Sequence, residues 1–248
     1  MFIPTTRYHQ SCQKECKAYL PDSFGLLCWN VHKNNRKNKF TKYLSREIQK
    51  KGIDLLLFQE ASFKNNEACK LPNFAYDAAA NLEIKGKFYG VLTASRTQSS
   101  YAKAYLSEGQ EVFIGPHKSL LLTSYRFKDG SKVLVLNIHA INFRENQRYN
   151  KELERFFDFI KIYEGAVIIA GDFNTWNLKR KEKLYEHAHK LKMKAVSFGS
   201  STYVKSFLGN NLDFIFYKGL KVEESSVENA KIYSDHNPLF ARFKKISI

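Results

Sequence analysis

Six short segments of this chain carry side chains that chemistry uses. Asn30 sits at the end of the apolar run 24–31, and Gln59-Glu60 follow the run 53–58. Asn137 lies in the run 132–138, which His139 follows, and Gly171-Asp172-Phe173-Asn174 follow the run 166–170. Asp213 lies inside 212–217, and Ser234-Asp235-His236-Asn237 lead into 238–243. Taken singly, each has a plain structural use: a turn at Asn30, an Asx turn at Asp172 or Asn174, a hydrogen-bonded core histidine at His139. Together they supply three or four carboxylates for a hard cation, two imidazoles for moving protons and two amides for holding an oxyanion. That set suits hydrolysis of a phosphate ester. Mg²⁺ takes oxygen ligands and usually binds through one or two carboxylates plus substrate phosphate. A histidine beside a carboxylate activates water at neutral pH. Asn amides and a second histidine stabilise the charge that develops on phosphoryl oxygens.

The elements that must position these groups are legible in outline. Apolar, β-branched or aromatic runs at 24–31, 53–58, 88–92, 111–114, 119–127, 132–138, 166–170, 212–217 and 238–243 have the length and composition of buried strands. Helical periodicity appears over 40–51 and over 145–163, where Tyr149, Leu153, Phe156, Phe157 and Ile160 share one face. Residues 178–191 form a third, more basic helical candidate. Strands with a few intervening helices predict a layered α/β (α+β) domain, in which sites form where strand ends converge. Asp129-Gly130 in the middle of 124–133 predicts a hairpin, hence some antiparallel pairing. No linker, repeat or low-complexity tract divides the chain, so one domain over 1–248 is expected, with 1–23 as an N-terminal extension.

Charge points to an anionic partner. The 248 residues hold 40 Lys+Arg against 24 Asp+Glu, a net charge of +16. Segment 33–51 has eight Lys/Arg and one acid, and segment 179–194 has seven and two. Such clusters concentrate polyanions, with Arg180 and Lys181 expected to contact phosphate. Hydrophobic residues at 44% exclude a disordered chain, and no apolar run is long enough to span a bilayer. Cys12, Cys16, Cys28 and Cys69 are read as reduced thiols, since no Cys/His pair follows Cys12 and Cys16 at zinc-finger spacing. Without a secretory h-region at the start, a cytoplasmic location is expected.

The order WN, QE, N-x-H, GDFN, LDFIF, SDH resembles the endonuclease/exonuclease/phosphatase superfamily, whose members include deoxyribonuclease I, apurinic endonucleases, neutral sphingomyelinases and inositol-polyphosphate phosphatases. NIHAINF with GDFNTW is most similar to small, poorly characterised bacterial members of it. The resemblance implies a four-layer αββα sandwich with two mainly antiparallel sheets. By position it implies metal binding by Glu60, with Asn30 beside it and Asp235 as a further carboxylate. It implies Asp172 as the residue that orients or deprotonates water, Asn174 on the scissile phosphate, and His236 as catalytic histidine polarised by Asp213. His139 falls where deoxyribonuclease I and the sphingomyelinases have histidine. Arg96 resembles a basic residue that contacts phosphate. The glutamate that partners this histidine in deoxyribonuclease I-type enzymes is not placed; Glu83 and Glu108 both match poorly. His32 replaces the aspartate that apurinic endonucleases carry two residues after the first asparagine.

The reading that follows is a Mg²⁺-dependent phosphodiesterase (Mn²⁺ as substitute), a nuclease acting on DNA or RNA as a monomer. The alternatives are a lipid, inositol-phosphate or sphingomyelin-type phosphohydrolase, and a catalytically inactive nucleic-acid-binding protein. A lipid enzyme should show an apolar docking hairpin, for which segment 95–118 is too polar.

Overall fold

The computed structural model describes residues 8–11, 16–64, 71, 73–110, 117–140, 145–199 and 203–246, with the side chains of 8–11 and 108–110 left aside. The elements in chain order are β1 (Tyr8–Ser11), β2 (Ser23–Asn30), α1 (Asn38–Lys51), β3 (Ile53–Lys64), β4 (Ala75–Ile84) and β5 (Lys87–Ser95). Then come β6 (Tyr101–Gln110), β7 (His117–Arg126), β8 (Lys132–His139), α2 (Asn146–Asp158), β9 (Ala166–Asp172) and α3 (Leu178–Lys190). The chain closes with β10 (Lys194–Ala195), β11 (Ser206–Phe207), β12 (Asn210–Asn211), β13 (Asp213–Lys218), β14 (Leu220–Val227) and β15 (Leu239–Lys245).

One sheet runs β1-β4-β5-β3-β2-β15-β14 and the other β10-β13-β9-β8-β7-β6. Among the described strands, β2–β3 and β8–β9 pair in parallel and the other ladders are antiparallel. The central strands are buried on both faces, so they read as near-continuous apolar runs rather than alternating ones. Leu26, Cys28, Leu55 and Leu57 of the first sheet meet Val133, Val135, Ile168 and Ile215 of the second in a shared inner core. On the outside of the first sheet lie Phe40, Leu44 and Ile48, the one-face stripe of α1, against Leu27, Trp29 and Leu56. The helices α2 and α3 cover the second sheet, with Leu153, Phe156 and Leu184 against Leu136, Ile169 and Phe216. The layers are therefore αββα, as the resemblance implied.

Helix α1 ends at Gly52, whose φ of +54° lets its N–H reach the Ile48 carbonyl. Helix α2 stops at Asp158, earlier than the periodicity over 145–163 predicts. Its apolar pattern continues through tight turns closed by Ile160 to Phe157 and Tyr163 to Ile160, which still bury Ile160. The hairpin at Asp129-Gly130 joins β7 to β8 as expected. The run 111–114, Cys12 and Cys69 fall outside the described residues, while Cys28 is a buried free thiol. No helix among the described residues is long and apolar enough to cross a membrane.

Candidate active site

Register builds the floor of the site. Asp172 ends β9, directly opposite His139 on parallel β8 and Asp213 on antiparallel β13. All three have the parity of the inner face, continuing Ile168 and Ala170, Val135, and Ile215 respectively. The close approach of β8 and β9 depends on Gly171, whose φ is +152° and where a Cβ would overlap the Ile138 carbonyl oxygen. Beyond Asp172, Phe173 hangs by its carbonyl from the Tyr149 hydroxyl at 2.7 Å. Asn174, at φ +51°, donates its side-chain amide to the Ala140 carbonyl at 2.8 Å and its backbone N–H to Asp172 Oδ1 at 3.0 Å.

The other sheet supplies Asn30 and Glu60. Simple alternation would put Glu60 with Leu56 and Phe58, facing α1. A bulge between Phe58 and Ala61 intervenes, and Glu60 takes φ +49°. That turns its carboxylate to within 3.3 Å of the Asn30 amide nitrogen. The same nitrogen lies 3.1 Å from Asp172 Oδ2, and His139 Nε2 lies 3.9 Å from Glu60 Oε1 and 3.8 Å from Asp172 Oδ2. Two carboxylate oxygens from different sheets thus face one small space.

The first and last motifs clasp each other. The Trp29 indole donates to the His236 carbonyl at 2.7 Å, and the Ser234 hydroxyl donates to the Asn30 carbonyl at 2.7 Å. This sets His236 with Nδ1 2.8 Å from Asp213 Oδ2 and Nε2 3.7 Å from Asp172 Oδ2. Between the sheets below, Asn137 donates to the Phe58 and Leu92 carbonyls and accepts from Gln59 at 2.7 Å, so the N-x-H and QE motifs also lock the two layers.

The surroundings raise both reacting candidates. Burial raises the Asp172 carboxyl to about 6; Asp213 adds to that, while His236, the Asn174 N–H and Asn30 oppose it. Burial alone would lower the His236 imidazole, but Asp213, then Asp172 and Asp235, outweigh it and raise it to about 9. His139 is held well below its ordinary value by burial, then by the Lys118 ammonium, then by His236. Near neutral pH the arrangement is an ionised carboxylate beside an imidazolium, over a neutral imidazole.

The chemistry of the donor set fits a divalent cation. Asp172, Asp213 and His236 offer ligand atoms within 4.8 Å of one another, a cluster able to hold a metal. His236 Nδ1 already pairs with Asp213 Oδ2, although Asp213 Oδ1 is buried with no hydrogen-bond partner among the described residues, whereas Glu60 and Asp172 converge as hard oxygen donors, the preference of Mg²⁺. Asn30 is positioned differently from the expected ligand role: its Oδ1 accepts the His32 N–H at 3.1 Å and its amide N–H₂ faces the site. Asp235 reaches the rim with one oxygen 3.8 Å from His32 Nδ1, which also lies 3.6 Å from Glu60, and the other 3.0 Å from Lys205 Nζ.

Two expected substrate contacts lie elsewhere. Arg96 donates its backbone N–H to Asp54 at the opposite end of β3 from Glu60, and its guanidinium packs over Phe74. Arg180 is only 1% exposed; its guanidinium lies over the Tyr149 and Trp176 rings and donates to the Asn174 carbonyl at 3.2 Å. It props the GDFN loop from inside, while Lys181 remains partly exposed. Both basic segments begin beside the site, but α1 and α3 carry their later cations about 20 Å away, at about 1.5 Å per residue.

The sequence did not reveal Lys118, whose Nζ donates to His139 Nε2 at 3.0 Å from the start of β7. Among the described contacts it stands beside His139 where a glutamate was sought; Glu83 makes none with that ring, and the Glu108 side chain is outside the description. A lone lysine beside an apolar run carries no spacing signal. Lys205 was likewise invisible as a rim residue, whereas His32 stands where the resemblance has an aspartate.

With this geometry in view, the likeness to known proteins is specific. The Endonuclease/Exonuclease/phosphatase family is matched over residues 27–236, and the chain belongs to it. The family is hydrolytic, comprising nucleases and phosphatases that are generally dependent on divalent metal. A UPF0294 protein of Vibrio cholerae is 33% identical over 235 residues, covering 92% of this chain and 80% of that protein. The fold is similar to D. rerio TDP2 complexed with single strand DNA product, at TM-score 0.65 and 14% identity, covering 90% of this chain and 99% of that one. It is also similar to a mannosyl-6-phosphatase of Bacteroides thetaiotaomicron, at TM-score 0.63 and 15% identity, covering 89% and 99%.

Proposed function

We propose that the protein is a Mg²⁺-dependent phosphodiesterase that cleaves nucleic acid. The observation that carries the chemistry is the pairing of Asp172 with the His236–Asp213 dyad, with Nε2 3.7 Å from Asp172 Oδ2. Both groups are raised, the carboxyl to about 6 and the imidazole to about 9, so a base stands beside an imidazolium near neutral pH. Asp172 takes a proton from water as the water oxygen bonds to phosphorus. The ester P–O bond breaks, and the leaving oxygen takes up a proton from solvent. The imidazolium of His236, held by Asp213, donates to a phosphoryl oxygen as it gains charge. Glu60 would hold the cation, which would supply charge neutralisation at the phosphate, with Asp235 at the rim and Asn30 orienting the Glu60 and Asp172 carboxylates. The Lys118 ammonium, which donates to Nε2 of neutral His139, supplies the N–H donor beside that ring.

Net charge of +16 and the cations of 33–51 support nucleic acid as the substrate. A second reading, a lipid or inositol-phosphate hydrolase, draws on the β11–β12 hairpin. Its tip exposes Phe207 (54%) and Leu208 (80%) just ahead of Asp213. The test is a panel of plasmid, single-stranded DNA, RNA and phosphatidylinositol phosphates, each with Mg²⁺ and with EDTA. Cleavage of nucleic acid alone supports the first reading; cleavage of lipid phosphates alone replaces it with the second.

A further inference from the structure

Next to the site, a groove of about 460 Å³ runs between α1 and the segment leading into the SDH motif. Its walls carry Lys37, Lys39, Lys42 and Arg46, with Tyr43 and Tyr233, and no carboxylate. Lys39, Lys42, Tyr43 and Arg46 follow the 3- and 4-residue spacing of one helix face, beside the stripe of Phe40, Leu44 and Ile48 that α1 buries. All four cations are exposed. Their mutual repulsion, and the cations and absence of acids at the start of the helix, cost stability that an anion in the groove would offset. Tyr43 and Tyr233 stack at 4.6 Å with an interplanar angle of 26°, and Tyr43 packs edge-on to Trp29. The groove is joined to the site by short lengths of chain. Asn34 donates to the Tyr233 carbonyl at 2.6 Å, Ser234 bonds Asn30, and Asp235 and His236 follow at once.

We propose that this groove binds one or two unpaired nucleotides of the strand whose phosphodiester lies at Asp172 and His236. The four cations take backbone phosphates and the tyrosine pair takes a base. The inference rests on the nuclease reading and narrows it to substrates with a single-stranded stretch. The volume falls within the roughly 300–1,000 Å³ of small-ligand sites, enough for a nucleotide-sized group. A base offers its face to aromatic rings only when unpaired, so aromatics interleaved with cations fit a single strand better than a duplex. A bilayer is flat and calls for protruding apolar residues. The groove is concave, and Ile232 is its one strongly exposed aliphatic residue.

The test measures fluorescence anisotropy of a short fluorescein-labelled oligothymidylate in EDTA, so that binding is read without turnover. Wild type should bind it more tightly than the corresponding duplex. The triple change Lys39→Glu, Lys42→Glu, Arg46→Glu should weaken it at least tenfold and reduce the log–log salt slope by about 2, at roughly 0.7 per phosphate contact. Tyr233→Leu should weaken the single strand roughly tenfold with little effect on the duplex. Far-UV circular dichroism and thermal midpoint check folding. The triple variant alters only exposed side chains, so it decides the matter should Tyr233→Leu not fold. Unchanged affinity and slope in a folded triple variant overturn the groove proposal. So does equal wild-type affinity for duplex, or binding to phosphatidylserine vesicles in place of the oligonucleotide. If wild type cleaves nucleic acid while the triple variant binds normally, only the groove is wrong. If wild type cleaves none with Mg²⁺, the nuclease reading itself fails.

Discussion

Replacing Asp213 by Asn keeps the size of the side chain and removes the charge that accepts the His236 Nδ1–H at 2.8 Å. In the folded protein His236 titrates near 9 against an ordinary 6.5, with Asp213 the leading influence against burial. That difference corresponds to on the order of 3 kcal/mol, at about 1.4 kcal/mol per pH unit. Without the Asp213 charge, burial should dominate, and the titration should fall to 6.5 or below. At neutral pH the imidazolium is then largely lost, and an Asn amide can also favour the wrong tautomer; the rate should drop by about 10²–10⁴-fold. NMR of the His236 ring in EDTA reads the titration, and a pH–rate profile with Mg²⁺ reads the consequence. Stability follows the same sign. A group raised in the fold contributes fully below 6.5 and loses that contribution as pH rises through about 9, so metal-free wild type should lose thermal stability across that window. Asp213→Asn should lack that loss. A His236 midpoint that stays near 9 in the variant, or an unchanged neutral-pH rate, would refute the dyad.

Other perturbations separate positioning from chemistry. Lys118→Met should raise the His139 titration toward its ordinary value, whereas Lys118→Arg should not; NMR of the ring reads both, and no movement in the Met variant removes Lys118 from the site. Gly171→Ala should cost at least about 2 kcal/mol in thermal or denaturant unfolding, from overlap with the Ile138 carbonyl and a disfavoured φ; wild-type stability would mean the two strands have slack. Arg180→Ala should lower the unfolding free energy by about 2–3 kcal/mol and disturb Asn174, while Lys181→Glu should leave stability unchanged; the reverse pattern would return Arg180 to the surface.

The parts legible in sequence are those with contiguous apolar composition or strong spacing. The strands carrying Asn30, His139, Asp172 and Asp213 read as apolar runs because both of their faces are covered. The three helices show their buried stripes. Besides the four-residue β1 and the two-residue β10, β11 and β12, three longer strands escaped for physical reasons. β4 (AYDAAANLEI) and β6 (YAKAYLSEGQ) are built on small and polar residues, and β14 (LKVEESSV) is a polar edge. In the site, the Glu60 bulge could not be read, because alternation assigns that carboxylate to the wrong face. Lys118 enters through a cross-strand neighbourhood that no local pattern encodes. Arg180 was readable and misread. It precedes Leu184 by four residues and His187 by seven, the spacing of α3's buried face, yet its charge drew it into the basic cluster. Arg96 was misplaced because a motif match says nothing of which sheet end a residue occupies.

The central claim is that Asp172, in concert with a divalent cation, activates water against a phosphodiester. Its most direct test is the rate of Mg²⁺-supported hydrolysis of a single-stranded oligonucleotide by wild type and by Asp172→Asn, in parallel with wild type in EDTA. The account predicts turnover by wild type with Mg²⁺, its loss on chelation with recovery on adding Mg²⁺ or Mn²⁺, and a fall of about 10²-fold or more for Asp172→Asn. Hydrolysis that persists undiminished after exhaustive chelation, or in folded Asp172→Asn protein, would contradict it.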